Sequence, residues 1–84
     1  MPRTPPQVTL YTRKGCCLCD DAKRVLESVR ERAVFELHEV DIDTDAALRG
    51  SYNDEVPVIA INGRKAFKYR VCERDLLKKL AARA

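Results

Sequence analysis

The stretch VTLYTRKGCCLCDDA, residues 8–22, decides the fold, because a strand pattern gives way to a helix pattern within a few residues. Residues 8–12 alternate with the two-residue period of a short strand. The segment 13–15 then predicts a loop. Apolar residues recur beyond it at helical spacing, at Cys19, Ala22, Leu26, Val29 and Ala33. The stretch therefore predicts a strand, a tight loop and a helix that opens at Cys16.

The middle of the chain predicts a second strand and a short helix. Ala33–Val40 alternates in part, which favours a strand. The acidic segment Asp41–Asp45 offers N-caps for a short helix through residues 46–48. Gly50 and Asn53 are expected to end that helix.

The remainder predicts a hairpin and a final helix. Val56–Ile61 is a continuous apolar run, which is typical of a buried central strand. Asn62-Gly63 is the preferred pair for a two-residue hairpin turn, so Arg64–Arg70 is the predicted return strand. A last helix is predicted by its apolar stripe, formed by Leu76, Leu77, Leu80 and Ala81.

These elements follow one another in the order βαβαββα. The first two strands form a βαβ unit and are expected to be parallel with a right-handed crossover, whereas the hairpin strands are antiparallel. A four-stranded mixed sheet with three helices, in the α/β class, satisfies both conditions. The 84 residues predict a single domain over residues 1–84, with residues 1–6 as a flexible leader.

Composition narrows the classes of function. The net charge is only +3 with both signs interspersed, and aromatic residues make up 6%, which argues against a nucleic-acid surface. No apolar run reaches the roughly 18 residues of a membrane span, and no export signal is present, so we expect a cytoplasmic protein. Structural disulfides are rare in that compartment. The four cysteines therefore need another explanation.

The spacing of Cys16 and Cys19 predicts a reactive dithiol. Unpaired N–H groups at the start of a helix stabilise a thiolate at Cys16, and Arg13 and Lys14 add positive charge. Cys19 lies one turn further on the same helix face. A Cys-x-x-Cys pair beside a βαβ pattern in a cytosolic chain is typical of a redox motif.

The expected chemistry is disulfide exchange. Cys16 attacks a substrate disulfide as the nucleophile, and Cys19 resolves the mixed disulfide. The carboxylates of Asp20 and Asp21 oppose a thiolate, which leaves the degree of activation open. Cys17 is expected to be a bystander, because a vicinal disulfide would be strained.

Two other functions stay open at this point. Cys16, Cys19 and Cys72, together with Cys17 or His38, would supply four ligands to a metal or an iron–sulfur cluster. The second closely spaced ligand pair of structural zinc sites is missing, so no bound metal is expected. The third hypothesis is an adaptor that keeps the fold while the dithiol is vestigial.

The segments 8–19 and 55–59 and the pair Asn62-Gly63 together resemble a glutaredoxin, most closely the short bacterial glutaredoxin-like proteins. The resemblance runs from about Gln7 to Leu80 and implies a thioredoxin-like (glutaredoxin) fold. It also implies a cis peptide bond between Val56 and Pro57, opposite the dithiol. The backbone of Val56 would then pair with the backbone of the substrate.

The resemblance further implies substrate-contacting positions around the dithiol. Arg13 matches a basic position that meets a carboxylate of glutathione in relatives that use it. Leu18 stands where many glutaredoxins carry an aromatic residue. Val71 and Cys72 replace a Gly-Gly pair that grips the glutamyl end of glutathione, so their side chains oppose that close approach.

The sequence thus predicts a thiol–disulfide oxidoreductase that acts on protein disulfides or on glutathione mixed disulfides. No bound cofactor is expected, and glutathione enters as a co-substrate. Electrons would come from glutathione or from a flavoprotein disulfide reductase. We expect the protein to work as a monomer.

Overall fold

A computed structural model describes residues 5–82 of the chain. Its elements are β1 (Gln7–Thr12), α1 (Cys17–Arg30), β2 (Glu36–Asp41), α2 (Ala46–Tyr52), β3 (Val58–Ile61), β4 (Arg64–Lys68) and α3 (Glu73–Ala82). A single 3₁₀ turn, Ile42–Thr44, precedes α2. The order βαβαββα is confirmed, and so is the thioredoxin-like α/β fold.

The four strands form one mixed sheet in the order β2-β1-β3-β4. β1 and β2 are parallel, whereas β3 is antiparallel to both β1 and β4. Tyr11 near the end of β1 therefore lies opposite Val58 at the start of β3. The loop that leaves β1 and the loop that enters β3 therefore lie side by side at one end of these two central strands. The candidate site lies there.

The core lies between one face of the sheet and the helices α1 and α3. Alternate residues of β1 point to this face, and Val8 and Leu10 are almost fully buried there. Their partners in the core are Leu26, Val29, Ile59, Ile61, Leu76 and Leu80. The hydroxyl of Ser28 in α1 also donates to Glu73 Oε1 in α3, with 2.5 Å between the two oxygens. α1 is thus packed on this layer and is tied near its C-terminal end to the start of α3.

The other face of the sheet is covered by α2, which buries none of its own side chains. Tyr11 points away from the core, and its ring packs against that of Tyr52 with centroids 4.8 Å apart. The side chain of Asp45 caps α2 and accepts from the backbone N–H of Ala47 at 2.8 Å. The predicted capping segment therefore supplies the cap with its last residue.

The second strand begins later than the predicted Ala33–Val40. The backbone N–H of Ala33 donates to Val29 at 2.9 Å and so belongs to the end of α1. Val34 is 84% exposed and Phe35 turns into the core. Pairing starts only where Glu36 lies opposite Gln7. The alternation at 33–35 thus reflects a loop that buries one aromatic ring.

The predicted end of the short helix is wrong at Gly50, which lies inside α2. Asn53 is the C-cap, and its φ of −49° is helical rather than left-handed. Gly50 is exposed, so the helix loses no buried contact there. The two hairpin strands are also shorter than predicted, because Pro57 precedes β3 and Tyr69 follows β4 with a φ of +67°.

The hairpin turn is confirmed, with φ values of +51° at Asn62 and +83° at Gly63. Asn62 also ties the turn to β1, because its Oδ1 accepts from the backbone N–H of Gln7 at 2.9 Å.

Residues 1–4 of the predicted leader lie outside the described residues. The carbonyl of Pro6 accepts from Glu36 at 2.9 Å. Within residues 5–82, no helix has the length and apolarity needed to cross a membrane.

Candidate dithiol site

Cys16 is the N-cap of α1. Its backbone is extended, with φ −96° and ψ +109°, and its Sγ accepts a hydrogen bond from the backbone N–H of Cys19 at 3.2 Å. Gly15 before it has a φ of +76°, which a glycine adopts without strain and which turns the chain from β1 into the helix. Cys16 is half-buried, so its sulfur lies at the surface over the unpaired donors of α1.

Cys19 lies one turn deeper and is only 2% exposed. Burial is the main cause that raises the pKa of its thiol, and a hydrogen bond with Cys16 raises it further. Hydrogen bonds with Thr12 and with the backbone of Arg13 act in the opposite direction. The two thiols of the motif therefore differ in access, and the buried one holds its proton more firmly than an ordinary cysteine.

The other two cysteines lie apart from this arrangement. Cys17 is the first residue of α1 and is exposed. Cys72 is also exposed, and its carbonyl accepts from the backbone N–H of Leu76 at 3.0 Å, which closes the first turn of α3. In the described part of the chain, no three His, Cys, Asp or Glu side chains are arranged to hold a metal ion. The residues of the alternative metal hypothesis are thus not assembled into a site within the described residues.

The loop opposite the dithiol carries the cis peptide bond between Val56 and Pro57 that the resemblance implied. Pro57 is buried, and its carbonyl accepts from the backbone N–H of Tyr69 at 2.8 Å. Val56 is half-buried, and its backbone makes no hydrogen bond with any residue in 5–82. The backbone of Val56 is therefore available to pair with a ligand.

Arg13 braces this loop instead of pointing a free guanidinium to solvent. Its Nε and Nη2 bind both carboxylate oxygens of Asp43 at 3.1 and 2.8 Å. Its Nη2 and Nη1 also donate to the side-chain and backbone oxygens of Asn53 at 2.8 and 3.3 Å. These contacts engage four of the five N–H donors of an arginine. The guanidinium also lowers the pKa of Asp43, mainly through the hydrogen bonds. In this structure one N–H donor of Arg13 is left for the glutathione carboxylate that the resemblance implied as its partner.

A second contact fixes the other end of the same loop. Glu55 accepts from Lys65 Nζ of β4 at 2.6 Å, and this contact lowers the pKa of Glu55. Lys65 Nζ also lies 5.5 Å from the ring centroid of Tyr52. Residues 53–56 are thus held from both sides, which positions Val56 relative to the Cys16 loop.

Two of the predicted substrate-contacting residues line one groove. Leu18 lies on its α1 wall and Val71 on the opposite wall, which is the segment 69–71 between β4 and α3. The groove has a volume of about 200 Å³, and its other lining residues are Asp21, Ala22, Tyr69 and Arg70. Cys72 does not line it. The structure thus brings Leu18 and Val71 together, and Arg13 does not line this groove.

Sequence reasoning missed Asp43, Asn53, Tyr69 and Arg70. Asp43 and Asn53 belong to polar segments that are typical of helix caps, and nothing in their spacing indicates a shared partner in Arg13. Tyr69 looked like an ordinary strand residue, because a positive φ at a tyrosine leaves no mark in a single sequence.

Comparison with protein families identifies the class. The model of the glutaredoxin-like domain (DUF836) matches residues 7–81. The chain belongs to this family. An uncharacterized protein of Mycobacterium tuberculosis is 31% identical over 81 residues, which cover 90% of this chain and 84% of that protein. A glutaredoxin-like protein of Dictyostelium discoideum is 31% identical over 75 residues, which cover 82% of this chain and 69% of that protein.

Solved structures agree with this assignment. A structural-genomics target from X. campestris is similar with a TM-score of 0.76 at 36% identity, over 89% of this chain and 96% of that chain. A protein from Nitrosomonas europaea gives 0.80 at 26% identity, over 94% and 95%. A thioredoxin from Halobacterium salinarum gives 0.70 at 18% identity, over 94% and 74%, and shares the fold.

Proposed function

We propose that this protein is a thiol–disulfide oxidoreductase that works through Cys16 and Cys19. The observation that carries the proposal is the paired position of the two thiols. Cys16 is the accessible N-cap, and Cys19 lies buried one turn below with its N–H directed at the Cys16 sulfur. An inert pair of core thiols has no need of this difference in access.

The reaction proceeds in two exchanges. The Cys16 thiolate attacks one sulfur of a substrate disulfide, which breaks that S–S bond, forms a new S–S bond to Cys16 and releases the other sulfur as a thiolate that takes up a proton. Cys19 then loses its proton and attacks the Cys16 sulfur. This second step breaks the mixed disulfide, releases the second substrate thiol and leaves a Cys16–Cys19 disulfide.

The net result is a two-electron transfer to the substrate. The oxidised protein must then be reduced by a dithiol or by two thiols. We propose glutathione or a flavoprotein disulfide reductase as the electron donor. We also propose that the protein is a monomer and that it works in the cytoplasm. The unpaired backbone of Val56 supports an extended substrate that pairs with the cis-proline loop while its sulfur reaches Cys16.

Trapping tests the proposal. With Cys19→Ser, the first exchange proceeds and the second does not, so a protein disulfide substrate such as insulin is expected to remain bonded to Cys16. Cys16→Ser is expected to trap nothing and to lose reductase activity. Cys17→Ser is the matched control, since it removes a neighbouring exposed thiol. If Cys16→Ser retains the turnover of the unaltered protein, the proposed function is wrong.

A further inference from the structure

Tyr69 adopts a backbone conformation that a tyrosine rarely takes. Its φ is +67°, and the N–H of Arg70 donates to the carbonyl of Lys68 at 2.8 Å, which makes Tyr69 the centre of a γ-turn. For a bulky residue this conformation is strained. The side chain stays 43% exposed, so burial in the core does not account for this conformation. Strain of this kind persists where the surrounding structure enforces it, and it is frequent at ligand-contacting segments.

The strained segment is connected to the dithiol site on both sides. The N–H of Tyr69 binds the carbonyl of Pro57 in the loop opposite Cys16. Tyr69, together with Arg70 and Val71, forms one wall of the groove between Leu18 and Val71 that is described above. The other wall begins at Leu18, which stands between the cysteines of the motif. A chain bonded through sulfur to Cys16 and paired with Val56 therefore passes beside this groove.

Arg70 supplies the groove with a positive charge that can bind an anionic group. Arg70 is exposed and has no ion-pair partner within the described residues 5–82. Asp21 on the facing wall is already paired with Arg24 at 3.1 Å. Arg13, the other arginine near the site, is occupied by Asp43 and Asn53. Arg70 is thus the arginine at this site with free donors.

We propose that this groove, the Tyr69 groove, binds the segment of a substrate polypeptide beside the cysteine under attack, with an acidic side chain of that segment at Arg70. The inference rests on the proposed function and names its substrate class. A polypeptide fits better than glutathione, because the side chain of Val71 lines the groove where glutathione would need a close backbone approach. The aliphatic part of an acidic side chain packs between Leu18 and the ring of Tyr69.

Matched peptide disulfides test the inference. Two peptides carry one cysteine in an identical frame, flanked on both sides by glutamate in one and by lysine in the other, and each is disulfide-bonded to the same fluorescent thiol. The measured quantity is kcat/KM for release of that thiol. We expect a preference of about fivefold for the glutamate peptide, in line with exposed ion pairs, and a smaller preference at high salt. Arg70→Glu is expected to invert the preference.

Arg64→Glu is the matched control, because it makes the same charge change at the opposite end of β4, beside the Asn62-Gly63 turn. It is expected to keep the preference for the glutamate peptide. The inference is overturned if kcat/KM is equal for the two peptides, or if Arg64→Glu and Arg70→Glu change the peptide preference equally. In either case, turnover of the peptides still supports the proposed function. Failure of the unaltered protein to exchange with either peptide overturns both. A glutathione mixed disulfide that outcompetes both peptides assigns the groove to glutathione instead.

Discussion

The backbone N–H of Cys19 donates to the sulfur of Cys16 at 3.2 Å. This contact places the Cys16 sulfur over the N-terminus of α1, where unpaired N–H groups stabilise negative charge. The side chain of Cys19 itself is only 2% exposed. The accessible thiol is therefore the one suited to attack, and the buried thiol is the one suited to resolve.

Alkylation is expected to follow this order. In the reduced protein, iodoacetamide should modify Cys16 before Cys19, by about tenfold or more in rate, because the buried thiol is both shielded and protonated. Peptide mass spectrometry over a time course measures each rate. The exposed Cys17 serves as an internal reference for an accessible thiol of the same helix. Equal rates at Cys16 and Cys19 would contradict the assignment of roles.

The resolving step is expected to depend on pH. Burial is the main cause that raises the pKa of Cys19, and it persists in the mixed disulfide, so the thiolate fraction that attacks is small at neutral pH. Below that pKa the rate should rise about tenfold per pH unit, and it should level off only above the ordinary cysteine range of about 8.5. Stopped-flow release of the second substrate thiol from a preformed mixed disulfide measures it. A plateau already reached at pH 7 would show that Cys19 is not the resolving group.

Arg13 is expected to act as a positioning residue. Arg13→Lys keeps the charge but cannot reproduce the paired contacts to Asp43 and Asn53. Amide exchange at residues 53–56 should become several-fold faster, and kcat/KM should fall for small and large disulfides alike. Asp43→Asn should reproduce both changes. A variant that instead raises KM only for glutathione disulfides, with unchanged amide exchange, would assign Arg13 to substrate binding.

Protonation of Asp43 should weaken its contact with Arg13, and it should do so only at unusually low pH. Arg13 lowers the pKa of Asp43, so Asp43 stays ionised through the range in which an ordinary aspartate is protonated. The Arg13–Asp43 contact is therefore fully formed above about pH 4 and is lost only as the pH falls through the lowered pKa of Asp43. Amide exchange at 53–56 against pH is the readout. A midpoint at the ordinary aspartate value would argue against the contact.

Tyr69→Gly is expected to stabilise the protein while weakening its use of peptides. Glycine accepts a φ of +67° without strain, so the free energy of unfolding should rise by about 1 kcal/mol. KM for the peptide disulfides should rise, because the groove loses its aromatic wall. Urea denaturation and the peptide assay measure the two effects. A loss of stability would mean that the Tyr69 ring is a structural anchor.

Much of the fold could be predicted because its signals are local. The alternation of 8–12, the Gly15 turn and the Asn62-Gly63 pair each define an element within a few residues. Element ends were harder, since core packing places the ring of Phe35, and α2 continues through an exposed Gly50. Cys16 and Cys19 were recognisable because three-residue spacing alone places them on one helix face.

The environment of the dithiol depends on contacts between distant residues. Arg13 meets Asp43 and Asn53 across 30 and 40 positions of sequence. Leu18 comes to line the same groove as Tyr69 and Arg70 only when α1 packs on the sheet that contains β4. A single sequence holds no record of such pairs, and the glutathione-binding role that the resemblance implies for Arg13 stays a prediction.

Redox equilibration with disulfide mapping tests the central claim most directly. The protein is equilibrated in a series of glutathione and dithiothreitol buffers, alkylated and mapped by mass spectrometry. We predict one two-electron transition, with a potential within the roughly −180 to −270 mV range of thioredoxin-fold dithiols, that links Cys16 to Cys19 and leaves Cys17 and Cys72 as thiols. An oxidised form that links Cys16 to Cys17 or to Cys72, or the absence of any Cys16–Cys19 bond, would contradict the account.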